Sequence, residues 1–348
     1  MTREHPTELL DRDHGLDAAS DSYPGSVRGV VLAPWVASGG PGPDQSTQLA
    51  ARTVSALNEV ARWAADGQNA DPTACAWLAY LRWAVENGAR LPEDAPHPPS
   101  DGFDREHPTL AAPGEHGGDT FDALSTGALG EVLRPVLPLA GSPELLARTA
   151  PYGLLPGIGW KPLVALAVDS AAITHGSPEA QTAAVGMALA VHAAVRARAP
   201  GAELREVVAE TARVCGLLTR PAPHTLDLLH ACTNPGSRRA LLDPAEPAPA
   251  PERAASTALV RGLAALLEAA AGADATAQDS GDDVARCASD MLPGDDTVQA
   301  AARAVTTTVA AARWGLEAPG ESTQAPVAFT TRSELLTLAE TWLSLWRP

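Results

Sequence analysis

The sequence predicts an all-α protein that folds as a single compact domain of many helices. Hydrophobic residues make up 45% of its 348 residues and aromatic residues only 4%. Alanine, the most frequent residue, has the highest helix propensity and lets helices pack closely, whereas β-sandwiches draw on Val, Tyr and Phe. Apolar residues also recur at helical spacing along most of the chain. The length alone would allow two domains, but single helical domains of this size occur.

The first 24 residues are polar and end at Tyr23-Pro24-Gly25. We therefore predict a mobile N-terminal tail over 1–24 and the helical domain over 25–348. The apolar segment from Val27 to Val36 predicts the opening helix. Proline lacks an N–H group and blocks the preceding helical turn, so we expect this helix to end before Pro34 or to kink there.

Two helices are predicted next, from Thr47 to Trp63 and from Pro72 to Glu86. Residues 91–119 then contain many Pro, His, Gly and acidic residues and show no apolar periodicity. This composition is typical of a surface segment, and we predict a long loop there.

A tight corner between two helices is predicted at the centre of the chain, at Thr174–Glu179. Ser177 can accept a hydrogen bond from the free N–H groups of a new helix, as an N-cap does. Pro178 suits the first helical position, and Glu179 lies near the positive end of the helix dipole. The helix that starts here is predicted to run to about Arg198.

The second half of the chain shows the same helical periodicity. A Pro/Ala linker at 244–251 and an acidic loop at 272–283 are expected to interrupt it. Helices are predicted over 202–218, 223–231, 254–271 and 304–315, with a closing helix from Ser333 to Trp346.

The charge of the chain excludes some classes of partner. The net charge is −17, and a nucleic-acid backbone needs a basic face, so we expect no nucleic-acid binding. The sequence has no apolar run long enough to span a bilayer, so we expect no membrane association. The N-terminus lacks the apolar region of a secretory signal, and the four cysteines are widely scattered. A cytoplasmic location is the expectation from these features.

Several motifs, in a consistent order, carry a resemblance to a known family. The stretch 166–180 reads LAVDSAAITHGSPEA, close to a block written A…SA.(I/L)THG.PEA. Residues 146–155 are similar to MR.APLGLL, and residues 79–83 read AYLRW, close to A..YLRW. These blocks resemble the ADP-ribosylglycohydrolase family, over roughly residues 28–346. The resemblance implies an all-α fold and hydrolysis of glycosidic bonds to ADP-ribose by two Mg²⁺ ions.

The resemblance also implies where the ligand cleft would be formed, and it shows departures there. Ser38 stands where the family has an aspartate, and Gln45 and Ser46 replace the adjacent aspartates of (S/T)DDTQ. The segment that replaces the family's loop is also shorter than family members usually have. By the family match, the expected cleft residues are Trp35, Ser38, Asp44, Gln45, Ser46, Thr47 and Arg148.

The C-terminal motif of the family, GGD.DT.AA, can be aligned in two ways. Without a gap, Val298 and Ala300 take the two aspartate positions. With one extra helical turn, Asp295, Asp296 and Thr297 come into register, although D-x-D has become D-D. Two Mg²⁺ ions need carboxylates to offset their charge. We therefore expect no cofactor, and Mg²⁺ only if a rearranged site at these three residues is functional.

Two further residues invite a role in chemistry. Arg148 suits phosphate binding, but an arginine at a helix end more often pairs with a carboxylate or with carbonyl groups. His175 suits acid–base work, but a histidine at a helical corner more often bonds to the backbone. We interpret both as structural residues.

Three functional hypotheses follow from the resemblance and its departures. In the first, the protein has lost the di-magnesium site and acts as a binding, regulatory or structural protein. In the second, it is an active ADP-ribosyl hydrolase with a metal site rearranged around Asp44, Asp295 and Asp296. In the third, the protein is an enzyme with new chemistry in the old cleft, which is lined by Trp35, Ser38 and Gln45. The expected ligand is ADP-ribose or a related small molecule, and the sequence indicates no protein partner.

Overall fold

A computed structural model describes residues 9–198, 203–243, 248–272, 281–316 and 326–347. Within these ranges the chain forms sixteen α-helices, α1 to α16, and three short 3-10 helices, without a β-strand. The predicted all-α fold class is therefore confirmed.

The long helices follow the predicted segments closely. Short helices and 3-10 turns lie between them, chiefly in the connections. The α-helices are α1 (Tyr23–Ser38), α2 (Gln45–Ala65), α3 (Pro72–Glu86), α4 (Phe103–Glu106), α5 (Pro108–Ala111), α6 (Gly118–Ser125), α7 (Leu145–Thr149), α8 (Trp160–Ala172), α9 (Pro178–Arg196), α10 (Leu204–Cys215), α11 (Pro223–Thr233), α12 (Pro235–Arg238), α13 (Ala254–Gly272), α14 (Gly281–Asp290), α15 (Thr297–Trp314) and α16 (Pro326–Trp346). The 3-10 helices are Ala150–Leu154, Arg239–Leu242 and Pro251–Arg253.

Helix α9 lies at the centre of the fold. It is buried continuously from Ala180 to Val195 and packs against α8, α10, α13 and α15. Its composition allows this, because its alanines leave neighbouring helices room to approach on every side. An added Cβ at Gly262 of α13 would lie 2.5 Å from the carbonyl oxygen of Ala302 in α15, so only glycine fits this helix crossing.

Side-chain caps begin several helices where the sequence offers Asp or Ser. Asp44 caps α2, Asp71 caps α3, and Asp296 caps α15, each accepting from backbone N–H groups of the first turn. Ser177 caps α9, with Pro178 at its first position. The predicted start of the central helix is thus confirmed.

The N-terminal segment differs from the predicted tail as far as it is described. Leu10 is fully buried, and Leu9, Leu16 and Tyr23 also belong to the main apolar core. Helix α1 already begins at Tyr23. A few leucines in a polar segment show no helical periodicity, but they pack against apolar residues once the domain has folded. Residues 1–8 of the predicted tail lie outside the described part of the chain.

The opening helix passes through Pro34, which is buried within α1. The local sequence around Pro34 does not decide whether the helix continues. Val30 and Val31 before the proline and Trp35 after it pack in the core, and this packing stabilises the helix on both sides of Pro34. The helix ends instead at Gly39, whose φ of 64° closes the last turn.

The segment 91–119 is less irregular than predicted. It contains the short helices α4 and α5, and α6 begins at Gly118. The carboxylate of Glu334, from α16, accepts hydrogen bonds from the backbone N–H groups of Thr109 and Leu110. A contact with a residue more than 200 positions away cannot be predicted from local periodicity.

One helical segment, Pro251–Gly272, is long and apolar enough to cross a membrane by length and composition alone. However, 72% of its apolar window is buried inside the fold, where α13 packs against α9, α14 and α15. This burial is typical of the core helix of a globular domain.

Candidate functional site

The corner between α8 and α9 brings His175 against a segment from before α7. His175 is fully buried, and its Nε2 lies 3.0 Å from the hydroxyl oxygen of Ser142. Gly176 makes the approach possible, since an added Cβ there would lie 2.5 Å from the carbonyl oxygen of Leu137. The N–H group of Gly176 donates to that same carbonyl oxygen.

A chain of hydrogen bonds fixes the proton on His175. Arg148 donates from Nη2 to the Thr174 hydroxyl oxygen over 2.6 Å, and that oxygen lies 2.8 Å from Nδ1 of His175. The guanidinium can only donate, and the described residues offer the Thr174 hydroxyl no other partner, so its proton goes to Nδ1. We infer that the imidazole carries its own proton on Nε2 and donates it to Ser142.

This arrangement limits what Ser142 and His175 can do chemically. Burial, reinforced by the charge of Arg148, lowers the pKa of His175 to about 3, although Asp119 opposes the shift. The imidazole is therefore neutral at pH 7. A base that activates a serine nucleophile must accept the serine proton, whereas His175 donates to Ser142. The pair is a hydrogen-bonding site and not a Ser–His nucleophile.

Two carboxylates lie beside this pair, and backbone or hydroxyl groups satisfy both. Asp119 accepts from the N–H groups of Gly141 and Ser142, over 2.8 and 2.9 Å. Glu144 accepts from the N–H group of Thr120. Burial raises the pKa of Glu144, and its hydrogen bonds from Thr120 and Ser142 counteract that shift.

A cavity of about 500 Å³ opens onto this cluster. Asp119 and Ser142 form one side of it, and the start of α15, with Asp296, Thr297 and Gln299, forms another. Its remaining lining residues are Pro143 before α7, Val298 in α15, and Ala248, Pro249, Pro251, Ala254 and Arg261 from α13 and the segment before it. We call this cavity the main cleft.

None of the residues at the start of α2 lines the main cleft, although Pro143 lines both this cleft and the small space beside Ser46. Asp44 uses one carboxylate oxygen to accept from the N–H and the hydroxyl group of Thr47. The side-chain amide of Gln45 bonds twice to the backbone of Gly117, donating to its oxygen and accepting from its N–H group. All three side chains therefore stabilise local structure.

Ser46 meets the alanine face of α15. Together with Ala301, Ala304 and Thr308 it lines a closed space of only about 10 Å³. Leu146 and Met187 complete the apolar surroundings. A void of this size holds at most about one water molecule.

The predicted C-terminal site residues behave differently from one another. Asp296 caps α15 by accepting from the N–H groups of Val298 and Gln299, 3.0 Å each. Asp296 and Thr297 line the main cleft, but Asp295 is exposed and does not belong to its walls.

The remaining predicted cleft residues are buried or peripheral. Trp35 is only 4% exposed and packs in the main core. Ser38 donates to the carbonyl oxygen of Trp35 at the end of α1. Arg148 is fully buried, donates to the carbonyl oxygen of Ser170 and lies over the ring of Tyr80. None of the predicted cleft residues lines the main cleft, whereas Asp296 and Thr297 of the conditional metal site do.

Comparison with protein families agrees with the all-helical architecture and the central corner. A family model for ADP-ribosylglycohydrolases matches residues 5–343. The chain belongs to the ADP-ribosylglycohydrolase family. A search of curated proteins found no matching relative.

The ADP-ribosylglycohydrolase fold raises the question of whether this member can hold two Mg²⁺ ions. The described residues contain no group of three or more His, Cys, Asp or Glu side chains arranged to hold a metal ion. Gln45 and Ser46 bring neutral oxygens, and Asp44 and Asp296 each use one carboxylate oxygen to cap their own helix. Two divalent cations need several carboxylates in near-octahedral geometry. The residues present do not fit such a pair.

Sequence reasoning missed the polar side of the main cleft. Asp119 and Ser142 lie in segments without periodicity, and they meet His175 only after three connections have folded. The signal that could have found them is the family match itself, because the Gly118–Thr120 segment and the Arg148 motif flank this region.

Proposed function

We propose that this family member binds ADP-ribose or a related nucleotide in the main cleft without hydrolysing it. The proposal combines an inherited ligand cleft with the loss of a di-magnesium site. The other hypotheses, a rearranged hydrolase and new chemistry, make different predictions in the same experiment.

The observation that carries the proposal is the narrow space between Ser46 and α15. Ser46 takes the place of a family metal ligand, and it faces Ala301, Ala304 and Thr308 across a space of about 10 Å³. Hydrated Mg²⁺ keeps several waters and needs charged oxygen ligands. A space of this size holds about one water molecule, so a hydrated ion does not fit between Ser46 and α15.

Binding is supported by the form of the main cleft. Its volume of about 500 Å³ lies within the range of about 300–1,000 Å³ typical of ligand sites. Ser142, Thr297 and Gln299 offer hydrogen bonds, and Arg261 offers a positive charge. The His175 ring holds the Ser142 hydroxyl in place, which favours a preorganised contact.

The test is isothermal titration calorimetry of the purified chain with ADP-ribose, with and without Mg²⁺. We expect the same affinity in both conditions, and no release of ADP-ribose when an ADP-ribosylated protein is incubated with the chain. The variant Ser142→Ala should bind about tenfold more weakly, the loss of one hydrogen bond. Arg90→Gln, which removes an exposed charge outside the cleft, serves as the matched control.

Two outcomes would overturn the proposal. Binding that requires Mg²⁺, or measurable hydrolysis, would mean that a metal site forms from other residues and would favour the rearranged hydrolase. Absence of binding in both conditions would remove ADP-ribose as the ligand and would leave new chemistry or a structural role.

A further inference from the structure

A second cavity lies next to the main cleft and has a different chemical character. Its volume is about 310 Å³. It lies between α11 and α13 and is closed by the 3-10 helix Arg239–Leu242 and by residues 248–250. We call it the basic cavity, because its ionisable lining residues are His224, Arg253 and Arg261.

Helical spacing places these groups on two facing surfaces. Arg253, Thr257 and Arg261 are four residues apart and share one side of α13 and the turn before it. His224 and Leu228 are also four apart on α11. Their side chains therefore converge on one space and do not scatter over the surface.

The charged side chains in the described lining of this cavity are all basic. Among the described residues, no carboxylate lines it, and neither Arg253 nor Arg261 has a hydrogen-bond or ion-pair partner there. Farther along α13, Glu268 pairs with Arg238 and Arg239. The chain has a net charge of −17, so the half-buried Arg261 and the exposed Arg253 stand out as a positive pair on its surface.

Apart from Thr257, the rest of the lining is apolar. Leu228, Leu241 and Val260 form the inner walls, together with Ala240 and the Ala248–Ala250 segment. A ligand that fills this space must therefore present an anionic group to the arginines and a compact apolar body to the leucines. Arginine is well suited to the anion, because its planar donors match carboxylate and phosphate oxygens.

We propose that the basic cavity is a second ligand site, for a small organic anion that joins a phosphate or carboxylate to an apolar group. Arg253 belongs to this cavity alone, whereas Arg261 lines both this cavity and the main cleft. The site stands independently of the proposed ADP-ribose binding, since its other two ionisable residues do not touch the main cleft.

The test is calorimetric titration of the full chain with phenyl phosphate as the probe, compared with inorganic phosphate and with benzyl alcohol. We expect phenyl phosphate to bind at least tenfold more tightly than either fragment. Arg253→Gln should weaken phenyl phosphate binding about tenfold, and Leu241→Asn should weaken it by removing apolar contact. Arg90→Gln has the same charge change on an unrelated surface and should have no effect.

The position of the probe is tested separately. Ser142→Ala alters only the main cleft and should leave phenyl phosphate affinity unchanged, which also distinguishes failure of this site from failure of the ADP-ribose proposal. Circular dichroism melting of each variant confirms that it is folded. Absence of phenyl phosphate binding at 10 mM, about the weakest affinity worth assigning to a site, would overturn the proposal. So would equal binding by folded Arg253→Gln, or equal affinity for inorganic phosphate.

Discussion

Two neighbouring regions of this protein offer very different amounts of space. At Ser46 the start of α2 meets alanines of α15, and the space between them is about 10 Å³. At Ser142 the corner before α9 keeps a hydrogen-bonded polar surface beside a cavity of about 500 Å³. Replacing aspartates by small neutral residues allows close helix packing, whereas a buried polar network persists only while each member has a partner. The difference shows that the polar surface at Ser142 and its cavity form without charged residues at positions 45 and 46.

The largest loss of stability is expected from substitution of Arg148, which is buried and donates hydrogen bonds to the polar region. Arg148→Ala would remove its hydrogen bonds to Ser170 and Thr174 and leave a cavity under Tyr80. We expect the free energy of unfolding to fall by about 3–5 kcal/mol, measured by urea denaturation. Arg90→Ala is the exposed control. A loss below about 1 kcal/mol would show that the polar network does not depend on this arginine.

The next test reverses the substitution at the closed region. Ser46→Asp would place a carboxylate against Ala301 and Ala304, and we expect a loss of about 2–3 kcal/mol in the free energy of unfolding from crowding and desolvation. Ser46→Ala should be nearly neutral. Thermal melting of the double variant Gln45→Asp/Ser46→Asp in millimolar Mg²⁺ sharpens the comparison. A rise in Tm specific to Mg²⁺ would contradict our view that the site has closed.

Acid should destabilise the protein through two buried histidines, His175 beside the cleft and His192 in the core. Burial lowers the pKa of both to about 3, whereas an unfolded histidine has a pKa near 6.5. The unfolded state therefore binds more protons, so this part of the stability is present above about pH 6.5 and is lost as the pH falls towards 3.

The measurement compares stability against pH for His175→Gln and His192→Gln. Each variant should reduce the slope of the free energy of unfolding against pH, between pH 6 and pH 4, by about 1.4 kcal/mol per pH unit. If only His192→Gln does so, His175 takes up its proton from the cleft without cost, and the polar region is wetter than its burial indicates.

The smallest stability effect should come from the serine that faces the main cleft. Ser142→Ala removes the partner of His175 Nε2 but leaves the fold packing intact, so we expect a loss of about 1 kcal/mol in the free energy of unfolding. Chemical denaturation measures it. A loss comparable to that of Arg148→Ala would mean that Ser142 is a structural residue, and it would weaken its assignment to ligand binding.

Local chemistry made much of this fold readable from the sequence. Ser177 and Pro178 begin α9 as predicted, and the apolar periodicity of the long helices survives in their burial. The predictions from sequence failed where residues far apart in the chain make contact. Leu10 is buried by the completed domain, and Glu334 holds the segment after Phe103 in helical turns. Neither contact leaves a local pattern.

The candidate site shows the same division between what local chemistry predicts and what long-range contacts decide. Residue types alone show that Gln45 and Ser46 cannot supply the charge that a magnesium pair requires, because no folding changes the chemistry of an amide or a hydroxyl. The meeting of Ser142 with His175, the burial of Trp35 and Arg148, and the two adjoining cavities depend on how helices far apart in the chain pack together. The chemistry of each side chain follows from its residue type. Which side chains become neighbours is decided only when burial of apolar residues far apart in the chain brings them together.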